Sequence, residues 1–430
     1  MSKINLKTLS ETSIELIDGD RGVNYPNKKD FSSEGYCLFL DSSNLTSSGF
    51  DLSSKVFITK KKDDSMGKGK VTDGDIIMNT RGTIGNVGLY SARMSFEHVR
   101  INSGMLIIRS GKDYDNRFLY LFFRSNFFLS QVRNIMSGSV QKQLPVWTFN
   151  FIKVPNLDVS KQKKIASVLS ALDDKIEINK KINTDLEKMA KTLYDYWFVQ
   201  FDFPDVNGKP YKSSGGAMVY NEKLKREIPK DWEVKELDAI ISKSGTGLNP
   251  RDNFELGHGD NFYITIKNVK GGKVIFDDTC DRVDDEALKI INKRSDLQVG
   301  DVLFTSIEPV GVTYFIQEKP TNWNINESVF TLRADYEKVT AEYLYMLLSS
   351  SEMKVFTKNA SAGSIHKGIR HSVLKTFKLA YKDKSLTEEF SKIVSPILRQ
   401  IYILDSENQK LGELRDWLLP MLMNGQVKIN

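Results

Sequence analysis

Gly138-Ser139-Val140-Gln141-Lys142 and, 225 residues later, Gly363-Ser364-Ile365-His366-Lys367 are two versions of one loop. The match continues upstream at the same offset: Leu119-Tyr120 with Leu344-Tyr345, Ser125 with Ser350, Asn134 with Asn359. Seven of the 24 positions from 119 to 142 are identical, where average residue frequencies give roughly one or two. Small insertions shift the register farther upstream, so that Gly74-Asp75 corresponds to Gly300-Asp301 and Asn102 to Asn326. Solenoids repeat every 20–50 residues or so, and this period is far longer. It marks a duplicated domain. Two copies in one chain are expected to relate by a pseudo-two-fold axis, which suits the two-fold backbone symmetry of duplex DNA.

Downstream of each copy the pattern changes from short β-like runs to a heptad. The first apolar seam is Ile165, Leu169, Leu172, Ile176, Asn179, Asn183, Leu186, Ala190, Leu193 and Trp197. The second is Phe390, Val394, Ile397, Ile401, Leu404, Asn408, Leu411, Arg415, Leu418 and Leu422. Alternating steps of four and three predict coiled-coil helices, and the pseudo-two-fold relation predicts that they pair antiparallel. Asn183 and Asn408 hold equivalent seam positions, where a polar residue weakens packing and fixes register. A helix over 160–198 would be roughly 57 Å long, enough to hold two domains about one DNA turn, roughly 34 Å, apart. Pro396 is expected to kink or interrupt the second helix near its start.

The fold class is therefore α+β: two mixed α/β domains separated by two long antiparallel helices. The predicted boundaries are 1–158 for the first domain, 159–200 for its helix, 201–219 for a flexible linker, 220–384 for the second domain and 385–430 for the distal helix. Val71–Tyr90 and Gln298–Gln317 read as strands with Gly-rich turns, Tyr114–Val132 and Thr340–Phe356 as amphipathic helices. The linker assignment rests on Pro204, Gly208, Pro210 and Ser213-Ser214-Gly215-Gly216.

The 430 residues carry a net charge of +6, with 40% hydrophobic and 27% charged residues, the balance of an ordinary globular protein. Residues 100–153 hold eight basic and two acidic side chains, and residues 351–384 again eight and two. Two basic stretches in two segments predict two anion-facing surfaces. No apolar run approaches 18 residues and Met1–Leu9 has no signal-like region, which predicts neither membrane span nor secretion. Cys37 and Cys280 suit a reducing cytoplasm.

Catalytic patterns are missing. There is no Asn/Asp-Pro-Pro-aromatic motif to hold a flipped base; Asn249-Pro250 is followed by Arg251. Gly67-Lys68-Gly69-Lys70 lacks the spacing of a phosphate loop, and Gly245-Thr246-Gly247 is too short for a dinucleotide turn. Pro204-Asp205 with Glu233-Val234-Lys235 imitates a nuclease pattern but straddles the linker. His98, His258, His366 and His371 have no metal-ligand spacing and read as surface or DNA-facing residues.

Leu193-Tyr194-Asp195-Tyr196-Trp197-Phe198-Val199-Gln200-Phe201-Asp202-Phe203-Pro204, with Gly208-Lys209-Pro210-Tyr211, Ser213-Ser214-Gly215-Gly216 and Ile228-Pro229-Lys230-Asp231-Trp232, resembles the central region of specificity subunits of type I restriction–modification systems. Leu414-Arg415-Asp416-Trp417-Leu418-Leu419-Pro420 and Asn424-Gly425-Gln426-Val427 are similar to the family's distal region. The resemblance spans the chain. It implies two target-recognition domains, each reading one half of a bipartite double-stranded DNA target in the major groove, with the helices setting the spacing. It also implies two docked modification (methyltransferase) subunits using S-adenosylmethionine, motor-nuclease restriction subunits using ATP and Mg²⁺, and no cofactor or catalysis in this chain.

The expected DNA contacts are Thr80, Arg81, Arg100, Ser139, Gln141, Lys142 and Gln143 in the first domain, and Lys267, Ser306, Ser364, His366, Lys367 and Arg370 in the second. Gln, Lys and Arg reach base edges, and Lys and Arg also hold phosphates. The bland alternative is that Gly138 and Gly363 recur only because a turn needs them. A rival function is a duplicated coiled-coil scaffold that joins protein partners without DNA; it predicts no salt-dependent DNA binding.

Overall fold

The computed structural model describes residues 5–46, 49–136, 143–361, 368–423 and 427. The chain forms two compact units, Met1–Asn179 with Glu407–Asn430, and Lys180–Ser406. Each unit thus takes part of both long helices, and the division falls within the helices rather than at their ends.

In the first unit a four-stranded antiparallel sheet has the order Glu15–Asp18, Met105–Arg109, Ile76–Asn79, Val87–Leu89. Its inner strands are apolar at successive positions because both faces are covered. Ile76, Met78, Leu106 and Ile108 face a core completed by Phe118, Phe122 and Phe128 and by Ile165, Leu169, Leu419 and Leu422 of the long helices. Ile77, Met105 and Ile107 face the opposite core with Leu38, Leu40, Val99 and Ile101. Those last residues belong to a three-stranded sheet, in which Cys37–Leu40 lies antiparallel to Phe57–Ile58 and parallel to Val99–Ile101. Leu6–Thr8 pairs with Lys153–Pro155 and closes the domain.

The second unit repeats this plan strand for strand. Ile241–Thr246, Val329–Ala334, Val302–Thr305 and Thr313–Phe315 form the four-stranded sheet, and Asp281–Val283, Asn261–Ile264 and Trp323–Ile325 the three-stranded one, again with one parallel pair. Glu233–Glu236 pairs with Lys378–Tyr381. The unit adds a hairpin, Met218–Asn221 with Arg226–Pro229, and has an eleven-residue helix, Asp285–Ser295, where the first unit has the six-residue Lys60–Ser65.

The repeated residues have mechanical reasons. Ser125 separates helices Asn116–Arg124 and Asn126–Met136, and its Oγ accepts from Phe128 N. Ser350 does the same between Ala341–Ser349 and Ser351–Ser361, accepting from Met353 N. Each pair replaces the single helix expected from the pattern, because the serine caps and restarts the chain. Asp75 and Asp301 are buried and each is held by two guanidinium nitrogens, of Arg109 and Arg333 respectively.

The central helix runs Val159–Tyr194 and ends in a π-turn, Asp195–Val199; the distal helix runs Lys384–Met423. Within the first unit they pair antiparallel: Asn179 Nδ2 donates to Glu407 and Asn408, and Arg415 reaches Asp173. Within the second, Asn183 Nδ2 donates to Asp405 at 2.6 Å, and Phe390 packs on Tyr194 and Trp197. Of the expected seam, Ile165, Leu169, Ile176, Asn179, Asn183, Phe390, Val394 and Leu404 are buried. Leu172, Leu186, Leu193, Ile397, Ile401, Asn408, Leu411 and Leu418 are half-buried.

Two expectations are corrected. The distal helix is not interrupted at Pro396; Pro396 and Lys392 are both exposed, so water can take the hydrogen bond that the Lys392 carbonyl loses to the proline. The segment 201–219 is no loose linker. Phe201 and Phe203 are buried against Trp232, Phe203 stacks on Tyr211, and the Asp202 carboxylate accepts from Ser213 N and Oγ. Turn-forming residues marked turns there, and the aromatic side chains between them fix those turns to the second unit.

Candidate nucleic-acid interface

In both units the strand that ends at position 79 or 305 runs into a six-residue turn, 80–85 or 306–311. Asn79 N donates to Asn86 O and Gly85 N to Asn79 O; Thr305 N donates to Val312 O and Gly311 N to Thr305 O. Gly85 and Gly311 both have positive φ, 88° and 83°, a conformation that favours glycine. A side-chain bond braces each turn, from Asn79 Nδ2 to Thr83 Oγ1 and from Thr305 Oγ1 to Pro309 O.

The first turn residue is a three-way node. Thr80 N and Oγ1 donate to Gly104 O, while Leu144 N donates to Thr80 O at 2.9 Å. Ser306 N and Oγ donate to Ser328 O, while Ile369 N donates to Ser306 O at 2.8 Å. Bridges between Arg81 and Gln143 and between Ile307 and Gly368 extend each node by one residue. These nodes anchor the outgoing stems of segments 137–142 and 362–367.

Ser139, Gln141, Lys142, Ser364, His366 and Lys367 lie outside the described residues. Of the other expected contacts, Arg81, Lys267 and Arg370 are exposed and Gln143 is half-buried. Arg81 and Gln143 are brought together at the first node, while Arg370 lies just beyond the second. Lys267 sits in a 3₁₀ turn, Ile266–Asn268, equivalent to Ser42–Asn44 of the first unit. Thr80 and Ser306 are buried, with their hydroxyls committed to the node. Sequence inspection passed over Arg21. Its Nη2 donates to the Asp18 carboxylate and to Ser103 O, both at 3.3 Å, next to Gly104 and hence to the first node. An Asp and an Arg three residues apart gave no long-range signal.

Arg100 is also corrected from surface contact to internal tether. It is 5% exposed. Its Nε donates to the Asp63 carboxylate, Nη1 to Lys68 O, and Nη2 to Asp63 O and Met66 O. Burial pushes the Asp63 carboxyl up, but the hydrogen bond and charge of Arg100 outweigh that and hold it below its ordinary value. Asn324 occupies the equivalent strand position and binds Asn292 and Ser295 of the longer helix. Arg100→Ala is expected to destabilise the first unit by about 3–5 kcal/mol, since it strands a buried charge, and to leave the DNA affinity of the folded fraction unchanged. Urea unfolding alongside DNA binding checks this; lost affinity at full stability would make Arg100 a contact.

His371 departs from the expected surface role. It packs on Phe330 with ring centroids 4.9 Å apart, and burial lowers its pKa. Among the described residues no three His, Cys, Asp or Glu side chains gather as metal ligands, and no helix is long and apolar enough to cross a membrane.

The family model described as the type I restriction modification DNA specificity domain matches residues 3–188 and again 229–413. The chain belongs to this family. It is a type I specificity subunit that carries the DNA specificity domain twice. It is 24% identical over 363 residues to the type I restriction enzyme MjaIX specificity subunit of Methanocaldococcus jannaschii, covering 83% of this chain and 78% of that one. Identity to the type I restriction enzyme HindI specificity subunit of Haemophilus influenzae is also 24%, over 72% of this chain and 77% of the relative. The crystal structure of the type I S subunit from M. genitalium superposes with a TM-score of 0.56 at 15% identity, covering 98% of this chain and 97% of that one; it supports the fold. In the specificity subunit described here, the helices of the second unit leave Met189 and Ile393 exposed. Both line a groove of about 510 Å³ with Leu193, Tyr196 and Ile397.

Proposed function

We propose that each specificity domain reads one half of a bipartite double-stranded DNA target in the major groove, using the repeated segment 137–142 or 362–367 and the residues that follow it. The observation that carries this is the equivalent node in both units: matching backbone hydrogen bonds hold a turn against Leu144 or Ile369, just past the repeated segment. Arg81, Gln143, Lys267 and Arg370 join Ser139, Gln141, Lys142, Ser364, His366 and Lys367 as contacts. Thr80 and Ser306 act by holding the stems. The two long helices set the spacing between half-sites and dock two modification subunits, for which the exposed Met189 and Ile393 supply apolar anchors. The chain itself is non-catalytic and acts in the cytoplasm. Modification subunits supply S-adenosylmethionine chemistry, and restriction subunits supply ATP- and Mg²⁺-dependent translocation and cleavage.

Methylome sequencing with and without the gene is the test. Loss of one split methylated motif is the expected result; an unchanged methylome rejects the proposal. In the assembled methyltransferase, Lys142→Ala and Lys367→Ala should each weaken binding and lower the slope of log K against log salt by roughly 0.9 if the lysine holds one phosphate. The scaffold alternative predicts no salt-dependent binding at all.

A further inference from the structure

We propose that residue 81 and its structural equivalent 307 are base-reading positions, Arg81 selecting a guanine in the first half-site and Ile307 a thymine in the second. This rests on the DNA-reading role proposed above. The duplication supplies its own control, because the two six-residue turns have the same length, the same closing hydrogen bonds and the same left-handed glycine. Their anchoring positions keep their character. Thr80 and Ser306 are both hydroxyl residues bonded to a carbonyl, and Ile84 and Val310 both pack on the core. Between those anchors the exposed tip differs throughout, Arg81-Gly82-Thr83 against Ile307-Glu308-Pro309, and the residue right after the node changes from a cation to an aliphatic side chain.

Neither side chain serves the fold in an evident way. Arg81 is exposed, and among the described residues its guanidinium has no partner, although Arg109 and Arg100 in the same unit are fully engaged. Ile307 is 38% exposed, between the buried Ser306 and the half-buried Val310. Both backbones are bridged to the residue that follows the repeated segment, Gln143 and Gly368. The pinned backbone fixes where each side chain starts, and a guanidinium with no protein partner among the described residues keeps its donors for a ligand.

The chemistry of the two tips selects different bases. A guanidinium matches the O6 and N7 acceptors of guanine in two parallel bonds, whereas a branched aliphatic tip has no hydrogen bond to offer and packs on the thymine methyl group. Gly104 lies against the first turn residues: a Cβ there would be 3.7 Å from Arg81 Cβ and 3.2 Å from Ser42 Oγ.

The test is the target motif of the full methyltransferase assembled with wild-type chain, Arg81→Ala, Arg81→Gln and Ile307→Ala, read by methylome sequencing and by binding to single-base-pair variants of the wild-type target. Arg81→Ala should relax one G·C pair in one half-site by roughly ten- to hundredfold and leave the other half unchanged. Arg81→Gln should shift that position towards A·T, since glutamine pairs with adenine N6 and N7. Ile307→Ala should relax a T in the other half. An equal loss of affinity on every sequence, with a shallower salt slope, would make Arg81 a phosphate contact and overturn the proposal, as would an unchanged motif in all three variants. Failure of the wild-type assembly to bind or methylate a split target would overturn the DNA-reading role itself, a separate outcome. Because both residues are exposed, unfolding midpoints should match the wild type and exclude misfolding.

Discussion

Replacing Phe390 by alanine should cost the second unit about 3–5 kcal/mol, the range for emptying a buried aromatic site. Phe390 is 0% exposed. Its ring lies 5.1 Å from Phe198, 5.8 Å from Trp197 and 6.2 Å from Tyr194, centroid to centroid. Those three rings project from the end of the central helix, so Phe390 joins the start of the distal helix to that end. The site has little freedom to collapse, because Phe198 is also packed edge-on against Tyr343 at 4.7 Å. Most of the cavity should therefore persist, which places the cost at the upper end. Phe390→Leu should cost much less, since it keeps most of the volume. The measurement is urea unfolding followed by amide hydrogen exchange. Faster exchange is expected through the second unit, whose largest core includes Phe390. Wild-type exchange rates across 190–200 and 340–348 in the alanine variant would show that this aromatic cluster does not hold the unit together.

Phe390 was also a position that the sequence could reveal. It opens the second heptad seam, and the antiparallel pairing followed from the four-three spacing and the duplication. The strand network was much less legible. Ile76-Ile77-Met78 and Leu106-Ile107-Ile108 do not alternate, because the sheet is buried on both faces, so period-two patterning had nothing to report. The parallel pairing of Cys37–Leu40 with Val99–Ile101 joins segments some 60 residues apart and left no local trace. At the candidate site the limit was different. Residue type singled out Thr80, Ser306 and Arg100 as polar, but a polar residue in a duplicated turn can equally be a brace. Only the hydrogen-bond partners separate the two roles. Thr80 and Ser306 donate to equivalent carbonyls, and Arg100 spends its donors on Asp63 and three carbonyls. Arg81 passes the same inspection as an exposed tip. The Gly-Asp repeat was visible as an identity at 74–75 and 300–301, yet its partner arginines lie 30 or more residues downstream, where no spacing rule connects them.

Those two ion pairs set up the second large effect. Arg333→Ala should destabilise the second unit by about 3–5 kcal/mol, because it leaves the Asp301 carboxylate buried without its counter-charge. Asp301 is 0% exposed; it accepts from Arg333 Nε at 2.7 Å and Nη2 at 2.9 Å, and from Gln298 N. Asp75 is built the same way, accepting from Arg109 Nε and Nη2 at 2.8 Å and from Thr72 N. The two arginines differ in exposure, 15% for the Arg333 side chain and 34% for Arg109. Water screens the Asp75–Arg109 pair more and can partly replace its arginine, so Arg109→Ala should cost distinctly less than Arg333→Ala. Arg333 also donates to Asp296 O, which its loss would leave unfilled at the end of helix Asp285–Ser295. Removing both charges from the second pair, as Asp301→Asn with Arg333→Leu, should recover part of the loss, since the penalty comes chiefly from the unpaired charge. A double-mutant cycle on unfolding free energy separates the terms. Equal costs for the two arginines would mean that burial does not govern these pairs, and a double variant as unstable as the sum of its singles would mean that Asp301 and Arg333 act independently.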